Sequence, residues 1–147
     1  MERITILGYQ ESVREGLCGL ISTNKHYSVT CSLDPVALIN HTWVFPPDLV
    51  IMDQTMPSMN GIETVLAIKR HWKKCSILFY TDNNIDEDIQ KAFRAGVSGY
   101  ILRSANANEI MVAIARILSG SYHVSSAILP IILNRLCVKA PALHRTM

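Results

Sequence analysis

The stretch that decides the fold is Asp48–Gly61, whose sequence is DLVIMDQTMPSMNG. It contains four consecutive apolar residues, Leu49–Met52, a run typical of a strand buried on both faces of a parallel sheet. Asp53 follows this run at once, and a proline and an Asn-Gly pair then mark a loop. Asn60 with Glu63 indicates the start of a helix. The stretch therefore predicts a strand, a loop that begins with a carboxylate, and a helix.

The same alternation extends in both directions along the chain. Short apolar runs predict strands, and between them apolar residues recur every three or four positions, which predicts helices. The predicted strands are Arg3–Leu7, Ser28–Leu33, Asp48–Met52, Ser76–Tyr80 and Gly99–Leu102. Strict alternation implies parallel strands joined by right-handed crossovers. The expected fold is α/β, a doubly wound five-stranded parallel sheet with the flavodoxin-like order 2-1-3-4-5.

Capping residues predict where the helices begin and end. The pattern Asn-x-x-Glu predicts three helix starts, because asparagine can accept a backbone N–H bond and the glutamate can reach back. These starts are at Asn60, Asn84 and Asn106. Ser12 with Glu15 offers a similar arrangement near the first helix. Gly96 and Gly120 predict the ends of the fourth and fifth helices, since glycine readily adopts the left-handed conformation found there.

Composition limits the classes of function. With 147 residues, 49% apolar and 18% charged, the chain suits one globular domain, and a net charge of +2 favours neither nucleic acid nor membrane. The basic run Lys69–Lys74 is interpreted as a solvated helix end. The four cysteines have no zinc-binding spacing. Since the N-terminus has no signal-peptide layout and no apolar run reaches bilayer length, we expect a cytoplasmic protein.

Polar residues follow three of the predicted strands. Asp53 comes after strand three, Thr81 after strand four and Arg103 after strand five. Ligands of such sheets bind at the carboxyl ends of the strands, where these side chains should meet. A carboxylate that can attack phosphorus, beside a hydroxyl and a cation that can contact phosphoryl oxygens, suits aspartyl-phosphate chemistry.

Here the sequence resembles a known family. Asp53-x-x-Met56-Pro57-x-Met59-x-Gly61 is similar to the phosphoacceptor loop of response-regulator receiver domains, which have the CheY-like fold. The segments Val13–Leu17 and Ala95–Leu102 resemble the NarL/LuxR-type branch, which is usually fused to a helix-turn-helix domain. The resemblance covers roughly residues 3 to 125. It implies a two-component signalling domain, with no enzyme active site, that regulates transcription.

The resemblance assigns roles to individual positions. It implies that Asp53 is the phosphoacceptor position, and that Thr81 and Arg103 are phosphoryl-contact positions. It implies that Tyr100 is the aromatic switch that swings inward on activation. The backbone carbonyl of Thr55 matches the position that usually ligates the metal.

Two positions depart from the family pattern. The acidic pair that normally holds Mg²⁺ is replaced by Gly8 and Tyr9, and the usual lysine is Arg103. Mg²⁺ prefers near-octahedral oxygen ligation, so without this pair we expect its binding to be weak or absent. Glu11 is the only other acid nearby. Arginine can hold a carboxylate with a planar fork, so Asp53 and Arg103 are predicted to pair directly. The hypothesis is a pseudo-receiver with a constitutively set pocket.

The last part of the sequence bears on the domain boundary and on the expected binding partners. Residues 1–121 are predicted to form the receiver domain, and residues 122–147 a linker or short helix toward a DNA-binding domain that is missing from this chain. We expect a homodimer, contact with DNA only through that effector, and no membrane contact. The apolar segment Ala127–Leu133 either forms a dimer contact, which we favour, or folds back on its own domain.

The alternative function is a conventional receiver that accepts phosphate from a histidine kinase. A small hydrolase fits less well, because the chain has no phosphate-binding loop motif.

Overall fold

The computed structural model of the chain describes residues 1–40, 46–55 and 60–133. Within these ranges strands and helices alternate along the chain, as the sequence predicts. The elements are β1 (Glu2–Leu7), α1 (Glu11–Ile21), β2 (Tyr27–Ser32), α2 (Pro35–Asn40), β3 (Leu49–Met52), α3 (Gly61–His71), β4 (Ser76–Thr81), α4 (Asp86–Ala95), β5 (Gly99–Leu102), α5 (Ala107–Leu118) and β6 (His123–Val124). The strands form one sheet with the order β2-β1-β3-β4-β5-β6, and all neighbouring strands are parallel. The predicted CheY-like α/β fold is confirmed.

The sheet separates two apolar layers. All four residues of β3 are fully buried, which explains why no polar residue interrupts Leu49–Met52. On one face the core includes Val65 of α3 and Ile89 of α4, and on the other it includes Leu17 of α1 and Ile114 of α5. Among the described helices none is long and apolar enough to cross a bilayer.

A sixth strand corrects the predicted strand count. The two residues His123 and Val124 pair in parallel with Gly99 and Tyr100 of β5. Periodicity could not reveal this strand, because two residues are too few for a repeating pattern. The sheet therefore continues past residue 121, where the sequence analysis ended the domain.

The apolar segment after β6 partly folds back on its own domain. Ile128 is 1% exposed, and Ile131 and Ile132 pack against the core beside α4. Leu129 and Leu133 of the same segment are exposed. The alternative that the segment folds back on its own domain therefore holds for its isoleucines, whereas a dimer contact through the exposed Leu129 and Leu133 stays a prediction. Residues 134–147, to which the predicted linker also extends, lie outside the described residues.

Most of the predicted helix boundaries are confirmed. The side chains of Asn60 and Asn106 each accept a backbone hydrogen bond of 2.8 Å, from Glu63 and Glu109. Gly96 ends α4 with a φ of 116°, in the left-handed region that favours glycine. Gly120, with a φ of 95°, lies just after α5.

Two predicted helix starts are wrong. The helix α4 begins at Asp86 and not after Asn84, because the Asn83 side chain accepts the Ile85 N–H at 2.9 Å and extends the loop by a residue. Ser12 lies inside α1, which starts at Glu11. In both cases the true N-cap residue makes no side-chain capping bond, so the capping pattern misplaced the boundary.

Candidate functional site

The carboxyl ends of β3, β4 and β5 lie side by side. Met52 pairs with Phe79, and Thr81 pairs with Leu102, so the residues that follow these strands reach one edge of the sheet. A cleft of about 710 Å³ opens at this edge. It is lined by Gly8, Tyr9, Gln10, Leu33, Asp53, Thr55, Asp82 and Arg103. The structure thus brings together most of the residues that the sequence analysis singled out.

Asp53 and Arg103 form a direct ion pair in this cleft. Arg103 Nη2 lies 3.0 Å from Asp53 Oδ2, and the two side chains are 27% and 20% exposed. The other carboxylate oxygen, Oδ1, accepts a hydrogen bond of 2.6 Å from the Gln54 backbone N–H. Both oxygens of Asp53 are therefore engaged by groups of the protein itself, and Arg103 contacts the carboxylate through Nη2 and not with both arms of its fork.

Two tyrosine rings hold the guanidinium of Arg103. Its central carbon lies 4.9 Å from the centre of the Tyr9 ring and 5.4 Å from that of Tyr80. A cation over an aromatic face at such distances is attracted by the ring quadrupole. The rings of Tyr9 and Tyr80 also contact each other, with centroids 6.1 Å apart. Arg103 therefore has a fixed place between the β1–α1 loop and β4.

Tyr9 is one of the two residues at which the resemblance to receiver domains leads us to expect an acid. Its hydroxyl donates a hydrogen bond of 2.8 Å to the Tyr80 carbonyl oxygen. Its backbone is left-handed, with a φ of 62°, and its carbonyl accepts a hydrogen bond of 2.8 Å from Arg14 Nη1. Burial, and then the charge of Asp53, raise the pKa of the Tyr9 hydroxyl well above its usual value, so the side chain stays neutral. A strained non-glycine backbone at a cleft marks a position that the surrounding contacts define closely.

Thr81 and Tyr100, two further predicted positions, are buried. The Thr81 hydroxyl oxygen accepts the Asn83 backbone N–H at 3.1 Å, so it stabilises the turn after β4. The Tyr100 ring is fully buried, and the single proton of its hydroxyl faces two acceptors, the Asn83 carbonyl oxygen at 2.6 Å and Gln54 Oε1 at 3.2 Å. Burial raises the pKa of this hydroxyl above its usual value. Tyr100 therefore lies inward, with its hydroxyl fully used.

Sequence reasoning missed the polar residues that join these loops. Gln54 Nε2 donates to the Asp88 carbonyl oxygen at 3.0 Å. Asn83 Nδ2 donates to Gln54 Oε1 at 2.5 Å and to Asp88 Oδ2 at 2.9 Å. Their position in the sequence could have identified them, since Gln54 and Asn83 both come within two residues of a strand end. This network connects the residue next to Asp53 with the first turn of α4 and with Tyr100.

The cleft offers few oxygen donors for a metal ion. Gly8 has no side chain, and the Tyr9 hydroxyl is directed to a carbonyl oxygen. Besides Asp53, the carboxylate that lines the cleft is that of Asp82, and Thr55 also lines it. In the described part of the chain no group of three or more His, Cys, Asp or Glu residues is placed to hold a metal.

A doubly wound parallel sheet with an aspartate at the end of β3 is the architecture of a signalling receiver. Residues 4–115 match the family described as the response regulator receiver domain, and the chain belongs to this family. Response regulators are signalling proteins of two-component systems.

Individual relatives show which branch of the response regulators the chain resembles. A crystal structure of a LuxR-family two-component response regulator from Aurantimonas sp. SI85-9A1 is 32% identical, covers 91% of this chain and 97% of its own, and has a TM-score of 0.83. The nitrate/nitrite response regulator protein NarL of Escherichia coli (strain K12) is 29% identical over 86 residues, which are 58% of this chain and 40% of NarL. The response regulator protein VraR of Staphylococcus aureus (strain Mu3) is 27% identical over 139 residues, which are 94% of this chain and 66% of VraR. The chain thus spans less than two thirds of these two curated relatives and corresponds to a receiver domain of the NarL/LuxR type.

Proposed function

We propose that this domain is an atypical receiver whose pocket is set in one state by the ion pair of Asp53 and Arg103. It regulates the output of a helix-turn-helix transcription factor, supplied by an effector domain or by a partner, and Mg²⁺-dependent phosphorylation of Asp53 is weak or absent. The observation that carries the proposal is the 3.0 Å contact between Arg103 Nη2 and Asp53 Oδ2. The resemblance supports it, because it leads us to expect an acid where Tyr9 stands.

The ion pair alone is too weak to prevent phosphorylation. A partly exposed pair contributes on the order of 1 kcal/mol, which a strong phosphodonor could offset. The larger obstacle is the repulsion between the carboxylate and an incoming phosphoryl group, both of which are anionic. A divalent cation normally offsets this repulsion by bridging the two groups. The outcome therefore depends on whether the cleft can hold such an ion.

The residues around Asp53 do not fit a Mg²⁺ site. Mg²⁺ requires near-octahedral oxygen ligands and is usually bound through carboxylates. Gly8 supplies no ligand, the Tyr9 hydroxyl is committed to the Tyr80 carbonyl oxygen, and the guanidinium of Arg103 places a positive charge against Asp53. Asp82 lines the same cleft but is exposed. Phosphorylation of Asp53 would therefore have to proceed without a bound divalent cation.

The position of Tyr100 supports a single preset state. Its hydroxyl already faces acceptors on Asn83 and Gln54 inside the protein, so no phosphoryl group is needed to draw the ring inward. We infer that signalling depends on assembly: a homodimer of this domain would control an effector that contacts DNA. The similarity to the response regulator proteins NarL and VraR supports a regulatory output.

The second candidate function is a conventional receiver that accepts phosphate from a histidine kinase at Asp53. The observation in its favour is that Asp53 is 20% exposed and faces an open cleft, so a phosphodonor could reach it.

Phosphorylation from acetyl phosphate distinguishes the two functions. We would compare the wild type, Asp53→Asn, and a variant that restores the usual pocket (Gly8→Asp, Tyr9→Asp and Arg103→Lys) by intact mass after incubation with acetyl phosphate and Mg²⁺. Aspartate tolerates the left-handed φ of 80° at Gly8 better than most residues. We expect no added phosphate on the wild type and one on the restored variant. Calorimetric titration with Mg²⁺ should likewise give heat of binding only for the restored variant, and circular dichroism would verify that each protein is folded.

A single phosphate on the wild type, absent from Asp53→Asn and formed as fast as on the restored variant, would establish the conventional function instead.

A further inference from the structure

Two cysteines meet at the edge of the sheet that is formed by β2. Cys31 of β2 pairs in register with Ile6 of β1, and paired residues of neighbouring parallel strands point to the same face. Ile6 belongs to the apolar layer under α1 and α5, and Val29, two residues before Cys31, packs there too. The side chain of Cys31 therefore lies on the face of the sheet that α1 covers.

Cys18 approaches the same place from the helix. It lies on α1 next to the buried Leu17 and packs against the same apolar layer, and α1 contacts β2 directly. Besides burial, the Cys18 thiol raises the pKa of the Cys31 thiol, as expected for neighbours across the contact between α1 and β2. Cys18 is half-buried and Cys31 is exposed, so solvent and small oxidants can reach the pair.

We propose that Cys18 and Cys31 are a redox modification site that forms a reversible intramolecular disulfide with hydrogen peroxide or an organic hydroperoxide. One thiolate attacks a peroxide oxygen and becomes a sulfenic acid, releasing water or an alcohol. The second thiolate then attacks the sulfenic sulfur, the S–S bond forms, and hydroxide leaves with a proton as water. The two thiols lose two hydrogens and two electrons in all, and the peroxide is reduced.

The surroundings of this pair slow its oxidation. Partial burial, and then the neighbouring Cys18, raise the pKa of the Cys31 thiol, while Arg14 opposes this shift. Little thiolate is therefore present at neutral pH, and the reaction should be slow unless an oxidant accumulates. In reducing compartments disulfides are typically transient and redox-sensing.

The pair lies next to a contact that supports the pocket. Arg14 precedes Cys18 by one helical turn, acts on Cys31 electrostatically, and donates to the Tyr9 carbonyl oxygen at 2.8 Å. A disulfide would fix α1 to β2 beside this arginine and so affect the position of Tyr9. This consequence rests on the proposed function, whereas formation of the disulfide does not.

Mass mapping of the reduced, folded chain tests the inference. Trypsin should place each cysteine in its own peptide: Cys18 in residues 15–25, Cys31 in 26–69, Cys75 in 75–91 and Cys137 in 136–139. After titration with hydrogen peroxide we expect intact protein that is lighter by two hydrogens, a linked peptide of 15–25 with 26–69, and full reversal by dithiothreitol. The Cys75 thiol, which is 2% exposed, should stay reduced.

Matched variants complete the test. Cys18→Ser and Cys31→Ser should each abolish the loss of two hydrogens, and Cys137→Ser should leave it unchanged. Any one of the following would overturn the inference: linkage through Cys75 or Cys137, a disulfide between two chains, addition of oxygen atoms to Cys31 without linkage, or four free thiols after excess peroxide. Because the readout is a covalent mass, its failure is independent of whether Asp53 accepts phosphate.

Discussion

Gly61 lies directly against the backbone of Gln54. Its N–H donates a hydrogen bond of 2.5 Å to the Gln54 carbonyl oxygen, and a Cβ on Gly61 would lie 2.6 Å from that same oxygen. Gln54 is the residue that follows Asp53 and bridges to Asn83 and Asp88. This close approach therefore sets the position of the polar network beside the ion pair.

Replacing Gly61 with alanine should destabilise the domain. The added methyl group meets backbone atoms that cannot rotate away, so we expect a loss of about 1–3 kcal/mol in the free energy of unfolding. Gly16, inside α1, is the matched control because a Cβ there meets no atom within 4 Å. Gly16→Ala should stabilise the domain by about 0.5–1 kcal/mol. Urea denaturation measures both, and equal effects of the two substitutions would contradict the geometry at Gly61.

Removing the Tyr9 hydroxyl should weaken the support of the pocket. Tyr9→Phe keeps the ring against Arg103 but loses the hydrogen bond to the Tyr80 carbonyl oxygen, at a cost of about 1 kcal/mol. Tyr122→Phe is the control, since Tyr122 is 69% exposed and should tolerate the change. Chemical denaturation of the two variants side by side is the measurement. If Tyr9→Phe were as stable as the wild type, the hydroxyl would have no structural role.

The capping residues offer a test of the helix starts. Asn106→Ala removes the side chain that accepts the Glu109 N–H and should cost about 1 kcal/mol. Asn84→Ala should have little effect, because α4 begins two residues later and its N-cap residue is Ile85. Thermal unfolding followed by circular dichroism compares them. A larger loss for Asn84→Ala than for Asn106→Ala would mean that α4 starts where the sequence pattern first suggested.

Alkaline pH should destabilise the domain because a buried thiol and a buried tyrosine hydroxyl keep their protons in the folded state. Burial raises the pKa of the Cys75 thiol from 9.0 to about 12. Above pH 9 the unfolded chain loses this proton while the folded chain keeps it, so stability that is complete below pH 9 declines until about pH 12. Each such group contributes at most about 1.4 kcal/mol per pH unit. Burial also raises the pKa of Tyr100, which adds to the decline above its usual value of 10.0.

Cys75→Ser tests this pH dependence, since serine does not titrate in the range. The free energy of unfolding of this variant should fall less steeply between pH 9 and 12 than that of the wild type, even if the variant is less stable at neutral pH. Parallel curves for the two proteins would show that the thiol ionises as readily in the folded state as in the unfolded one.

Sequence patterns predict the sheet and the main site residues well because both depend on local chemistry. An uninterrupted apolar run such as Leu49–Met52 has few alternatives to a buried strand, and parallel strands bring the residues after them to one edge. The same topology brings Asp53 and Arg103 to one edge of the sheet. Their direct pairing is predicted from the resemblance to receiver domains, which marks Gly8 and Tyr9 as replacements of the acidic pair.

The missed features depend on contacts between loops distant in sequence. The bridge from Gln54 to Asn83 and Asp88 joins two loops whose relative position is set only by packing of the finished sheet. The strand β6 forms by pairing with the edge of β5, and its two residues are too few to show a repeating pattern in the sequence. The start of α4 was misplaced for a related reason: Asn83 and Asn84 are alike in type, and only the geometry of the turn selects Asn83.

The sixth strand has a mechanical consequence for the segment that follows it. Val124 is paired with Tyr100, the Ser125 N–H donates to the Tyr100 carbonyl oxygen at 3.0 Å, and the Ser125 hydroxyl accepts the Leu102 N–H at 3.0 Å. The segment that begins at Ser125 and continues into the packed isoleucines is therefore bonded directly to the strand that carries the buried aromatic ring. A displacement of that strand would move this segment with it.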